Sequence, residues 1–195
     1  MKRIAIYGAG GFGKEARGML DAQREVYSFA GYFDDYKEVT EKISDEQFDD
    51  VLLAIADPRI RNKIITTWSK KSVSFSSLIS PDVQAHPSVA IARGSIICPG
   101  VKFTVDIRLG EFCIVNLNAT IGHDVVMGDF CSLMPSVNIS GNVTLGNRVF
   151  VGTGATILQG IMIGNDAIIG AGALVTHDVA SGETVIGVPA KSKRT

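Results

Sequence analysis

The chain has 195 residues, 46% of them hydrophobic, and a formal net charge of −1 at pH 7. That balance gives no electrostatic reason to expect nucleic acid or an anionic membrane as a partner. No apolar run reaches the ~18 residues of a spanning helix, and no charged-then-apolar leader opens the chain, so a soluble cytoplasmic protein without membrane insertion is expected.

The length admits two small domains. Residues 2–7 form a short apolar run that ends in Gly8-Ala9-Gly10-Gly11-Phe12-Gly13, and a helical pattern follows to Leu20. The spacing Gly8-x-Gly10-x-x-Gly13 between strand and helix fits the dinucleotide fingerprint. Glycines there let the backbone approach a phosphate or ring, and the helix amino terminus favours an anion. Gly10, Gly11, Phe12 and Gly13 are therefore candidate substrate-binding residues, Phe12 either stacking on a ring or simply packing. A tight strand–helix turn with no ligand is the plain alternative.

Residues 26–33 read as a second strand that ends in Asp34-Asp35, where a ribose-binding acid would sit; a solvated turn would also place two acids there. Residues 49–55 read as a third strand, and Ala56 just beyond it joins the candidate substrate-binding set. A helix runs from Pro58 to about Trp68, with proline suited to its first turn. A further short strand covers 73–78, and Pro81 marks the passage into a different pattern. About 80 residues hold one mononucleotide-binding half rather than the two of a full NAD domain. A single nucleotide is thus expected at this domain, residues 1–80, with an NAD enzyme as a rival.

From 83 to 190 the sequence repeats every six residues. One column is aliphatic (Ile91, Ile97, Leu109, Val115, Ile121, Met127) and another small or β-branched (Val89, Val101, Cys113, Ala119, Val125, Cys131). A fixed short period of this kind marks a β-solenoid, because neither an amphipathic helix nor an alternating strand keeps it. Cys113 and Cys131 share the small column and are expected inside as small hydrophobes. No His/Cys cluster has ligand spacing, so no metal is expected.

The hexapeptides IGHDVV, LGNRVF and IGNDAI resemble the repeat of the left-handed parallel β-helix acyltransferases. With the GAGGFG turn and the Asp34-Asp35 pair, the whole chain is similar to the NeuD/PglD family of sugar acetyltransferases. That resemblance implies an α/β plus all-β fold: a small Rossmann-like domain followed, over 81–195, by a left-handed β-helix of six triangular coils of 18 residues. It further implies acetyl-CoA as co-substrate, a nucleotide-sugar acceptor held by the first domain, and a homotrimer with active sites between subunits.

In that family the histidine of the Gly-His-acid motif is the general base, which places His123 in that role and Asp124 beside it. An imidazole can accept the acceptor's proton near neutral pH. Asp124 is shorter than the family's frequent Glu, so its reach to the ring is the weaker expectation. Residues 18 apart stack at about the 4.8 Å inter-strand spacing, so Gly141 lies one coil from His123 and could offer its N–H to an oxyanion. The same count aligns Thr153, Ala171 and Pro189 in a column along which the family's pantetheine arm lies, with Gly152 at its edge. Ser132 stands where some members carry a second histidine near the thioester. Lys191, Lys193 and Arg194 are candidates for the coenzyme's phosphates, or a solvated tail. His86 and His177 read as surface residues.

The expected activity is N-acetylation of a UDP- or dTDP-linked 4-amino-4,6-dideoxyhexose in bacterial surface-glycan synthesis. The rivals are a sugar O-acetyltransferase of sialic-acid type and a non-catalytic nucleotide-binding module.

Overall fold

The computed structural model describes residues 1–35, 48–68 and 73–193. Arg194 lies outside them. Strand β1 (Lys2–Tyr7) runs between β2 (Tyr27–Phe33) and β3 (Asp50–Leu53), and all three are parallel. Its last four residues are all buried because both faces of the central strand are covered. Ile4 and Ile6 pack with Ala16, Met19 and Leu20 of helix α1 (Gly11–Asp21), whereas Ala5 and Tyr7 lie with Ile64 of helix α2 (Pro58–Trp68). The inward residues of α1 recur at helical spacing. Asp57 caps α2, its Oδ1 accepting from the N–H groups of Arg59 at 2.8 Å and Ile60 at 3.1 Å.

The repeats wind as a three-faced parallel solenoid, with two sheets of five strands and one of eight. Up to Val175 the two-residue strands pair with those 18 residues away, as Thr120 does with Lys102 and Asn138. From Ile91 to Val185 the inward residues of the strands join one apolar core that includes Cys113 and Cys131, both fully buried. Hydrogen bonding to the Cys131 thiol, then burial, raises the Cys113 thiol well above its ordinary value. Corners require a left-handed residue, and Asp106, Asn118, Asp124 and Asn142 supply it with φ of 56–59°. Phe112 and Phe130 adopt the same conformation despite their bulk; they stack at 5.3 Å and 10°, packed against the first domain.

Outward strand positions explain how the two domains join. On the two five-stranded faces they include Lys102, Thr120, Asn138, Arg108 and Thr144, which are exposed. On the eight-stranded face Leu78, Ile96, Ile114 and Ser132 are buried beneath the first domain, whereas Phe150, Ile168 and Thr184 further along it are half-buried. Burying such aliphatic side chains contributes about 1.5–3 kcal/mol each. Leu78–Ile79 already pairs with Ile96–Ile97, so the strand ahead of Pro81 lies in the solenoid sheet.

The 18-residue register ends before the carboxyl terminus. Ile163 bridges to Val179, and Ile168–Ile169 pairs with Thr184–Val185, an offset of 16 residues. Pro189 consequently leaves the column of Thr153 and Ala171, correcting the expectation from the count. It lies exposed, after a cis Val188-Pro189 bond, in the loop of an antiparallel hairpin that pairs Thr184–Ile186 with Lys191–Ser192.

Candidate active site

His123 occupies the corner between the strands Thr120–Ile121 and Val126–Met127, with its side chain 56% exposed. Its Nδ1 is 2.8 Å from Asp124 Oδ2, so the shorter carboxylate does reach the ring. An ionised carboxylate only accepts. Nδ1 therefore carries the proton of the neutral ring and Nε2 presents a lone pair. The next coil puts Gly141 directly against that nitrogen: a β-carbon there would stand 2.3 Å from Nε2. The His123 carbonyl accepts from Asn142 N at 2.7 Å, which holds the two corners in register. Gly141 N–H itself donates to no carbonyl among the described residues.

Thr153 and Ala171 stack on another corner of the prism, both exposed. Gly152 is required there, since a β-carbon would meet Ala171 N at 2.5 Å. The N–H groups of Thr153 and Ala171 also donate to no carbonyl among the described residues, leaving a narrow edge with open donors. Lys191 and Lys193 are exposed at the terminal hairpin. His86 and His177 are exposed too, and their ring nitrogens contact Ser88 and Thr176 at 2.9 Å.

Ser132 departs from expectation. It is fully buried under the first domain, and its hydroxyl donates to the Ala56 carbonyl at 2.7 Å and accepts from Arg61 at 2.9 Å. With no surface of its own, it offers nothing to a thioester in the groove.

In the first domain the carboxyl ends of the parallel strands converge, where ligands of α/β sheets bind. A cavity of about 220 Å³ is lined there by Tyr7, Asp34, Asp35, Ile55, Lys63 and Trp68. Asp34 Oδ2 accepts from Ala9 N at 2.8 Å, tying the second strand to the glycine turn, and Tyr7 OH bonds to Asp35. Gly13 is needed for contact, because a β-carbon would lie 1.8 Å from the Gly8 carbonyl oxygen. Gly11 is exposed and faces open space, and Gly10 begins α1 with no side-chain cap and no acid in the first turn. Phe12 is half-buried against the core shared by α1 and the solenoid. Sequence reasoning missed Lys63, Tyr7 and Trp68, whose convergence depends on the order of the strands.

The PglD N-terminal domain family matches residues 3–68, and the bacterial transferase hexapeptide family (six repeats) matches 124–159 and 142–177. The acetyltransferase domain of PglB from Neisseria gonorrhoeae is 31% identical, with 99% of this chain and 100% of that one covered and a TM-score of 0.89. The chain belongs to the PglD-like sugar acetyltransferases of the left-handed β-helix, hexapeptide-repeat superfamily. WeeI from Acinetobacter baumannii matches this acetyltransferase equally, at 31% identity over 99% and 100% of the two chains, TM-score 0.89. A mutant of perosamine N-acetyltransferase from Caulobacter crescentus, solved with CoA and GDP-perosamine, is 29% identical over 100% and 98%, TM-score 0.92. No curated protein matches the chain. Family membership sets aside the nicotinamide reading of the glycine turn. Among the described residues no cluster of three or more His, Cys, Asp or Glu is placed to hold a metal, and no helix is long and apolar enough to cross a membrane.

Proposed function

We propose that this acetyltransferase moves an acetyl group from acetyl-CoA to the amine of a nucleotide-linked 4-amino-4,6-dideoxyhexose, with His123 as general base. The contact that carries this reading is His123 Nδ1 to Asp124 at 2.8 Å, with Nε2 left over Gly141. Acetyl-CoA supplies a carbonyl carbon already activated by its thiolate leaving group. The amine nitrogen forms the new C–N bond with its lone pair while Nε2 takes an N–H proton, and Asp124 stabilises the imidazolium. Gly141 N–H meets the negative charge that develops on the carbonyl oxygen. The C–S bond then breaks, and the Nε2 proton passes to the departing sulfur. Charge and atoms balance with no covalent enzyme intermediate.

The pantetheine amides lie along Thr153 and Ala171, whose free N–H groups suit them, with Lys191 near the coenzyme's phosphates. The acceptor lies in the cavity beside Asp34, Asp35 and Ala56, its diphosphate against Gly10, Gly11 and Gly13. The GDP-perosamine bound by the Caulobacter crescentus perosamine N-acetyltransferase supports an amino-sugar acceptor. Within one protomer, however, the first domain covers the eight-stranded face, whereas His123 projects from the corner opposite that face. An acceptor held in the cavity therefore meets the base of a neighbouring subunit. This argues for the homotrimer, working in the cytoplasm where acetyl-CoA and nucleotide sugars occur.

The test is free-thiol release from acetyl-CoA with GDP-, UDP- and dTDP-linked 4-amino sugars, beside sialic acid. Turnover with an amino sugar supports the reading. Turnover with sialic acid alone would assign an O-acetyltransferase, and none with any acceptor would leave the non-catalytic module.

A further inference from the structure

Among the described residues Arg61 is the largest fully buried side chain, and no carboxylate of theirs touches its guanidinium. Instead Nε donates to the Phe112 carbonyl at 3.1 Å. One terminal nitrogen donates to Ile55 O at 2.7 Å, Ala56 O at 3.0 Å and Ser132 Oγ at 2.9 Å. The other donates to Phe130 O at 2.6 Å and Cys131 O at 3.0 Å. Two of these six oxygens belong to the first domain and four to two successive coils of the solenoid. Burial lowers the guanidinium to about 10, so it remains charged at neutral pH.

Burying a cation against dipoles alone is costly. Apolar residues, such as the Leu78, Ile96 and Ile114 of the same face, would glue the domains together more cheaply. A guanidinium does something they cannot: its planar fork fixes direction as well as distance. What it fixes is the 55–56 backbone, which follows β3 and, through Ile55, forms a wall of the Asp34–Lys63 cavity. Ser132 closes the same lock by donating to Ala56 O.

We propose that Arg61 is a positioning residue for acetyl transfer: it sets the acceptor cavity in one orientation on the solenoid, and hence the angle at which the sugar amine reaches the base. The inference rests on the acetyltransferase reading above. Arg61 touches no reacting atom, so its loss disturbs placement of the acceptor and leaves the coenzyme edge at Thr153 and Ala171 intact.

The experiment compares wild type with Arg61→Lys, and with Ser132→Ala as a milder change that keeps the buried charge. Steady-state kinetics are joined to amide hydrogen exchange, which needs no substrate. We expect Arg61→Lys to raise the KM for the acceptor by about tenfold or more, some 1.4 kcal/mol, with the KM for acetyl-CoA unchanged. Ser132→Ala should move the same parameter in the same direction by less. Exchange should accelerate at 54–57 and 130–132 in Arg61→Lys, with the solenoid interior at 137–157 as protected as in wild type. A folded Arg61→Lys with wild-type acceptor KM would overturn the proposal, as would a matched rise in both KM values. If wild type acetylates no nucleotide amino sugar, the acetyltransferase reading fails on its own. Exchange then decides the lock: unchanged protection at 54–57 in Arg61→Lys removes it, and selective loss upholds it. Should Arg61→Lys not fold, an acceptor KM for Ser132→Ala equal to wild type counts against the proposal.

Discussion

Gly141 lies one coil from His123 and so close beneath it that a β-carbon would stand 2.3 Å from Nε2. The absent β-carbon leaves room for the imidazole, and the glycine itself is buried beneath the ring. Gly141→Ala should push the imidazole off its line while the coil, held by Asn142 N to the His123 carbonyl, persists. We predict a fall in kcat of about 10²-fold, the scale of a misplacement near 1 Å. Melting temperature and the KM for acetyl-CoA should change little.

Asp124 holds Nδ1 at 2.8 Å as a pure acceptor. In Asp124→Asn the side-chain amide can donate to Nδ1, which would place the ring proton on Nε2 and block the base. The pair is exposed, so the penalty should be smaller than the ~10⁴-fold of a buried triad, about 10–10²-fold in kcat. Kinetics with saturating acceptor, beside nitrogen-resolved NMR of the His123 tautomer, would check both parts.

Two glycines of the first turn should separate folding from binding. A β-carbon at Gly13 would meet the Gly8 carbonyl oxygen at 1.8 Å. Backbone must then move, and Gly13→Ala should lose about 1–3 kcal/mol of stability. At Gly11 a β-carbon meets nothing within 4 Å. Gly11→Ala should fold as well as wild type, yet bind nucleotide about tenfold more weakly, near 1.4 kcal/mol, if a diphosphate lies against it. Chemical denaturation and quenching of Trp68, the one tryptophan and a residue of the cavity wall, would report the two effects.

Arg148 hydrogen bonds hold the Asp166 carboxyl below its ordinary value, and Arg59 of α2 adds to this from 3.8 Å. A depressed folded value stabilises above the ordinary carboxylate range, and the benefit drains away as pH falls through the lowered value. Asp166→Asn should therefore cost up to about 1 kcal/mol at neutral pH and progressively less in acid. Denaturant midpoints at pH 7 and pH 3 give the difference.

Much of this arrangement was readable before any coordinates, because a solenoid converts spacing directly into contact. The step from His123 to Gly141 followed from an 18-residue coil that the strand pairs obey. The same count misplaced Pro189, since the last coil is two residues short. A signal was present: the aliphatic column breaks at Ser181 and Gly187, while Val179 and Val185 take the inward places. Ser132 was misread because sorting the repeat in sixes merges the three faces, and the first domain covers the outward positions of one of them. Arg61 gave no local sign at all. Its six acceptors come from three separate stretches of chain, and only the docking of one domain on the other brings them together.

The most direct measurement is acetyl transfer by His123→Ala with the best amino-sugar acceptor, followed as released CoA thiol. The account predicts a loss of about 10³-fold in kcat, within the 10²–10⁴-fold a general base supplies, with melting temperature and the KM for acetyl-CoA as in wild type. Transfer at the wild-type rate would contradict it.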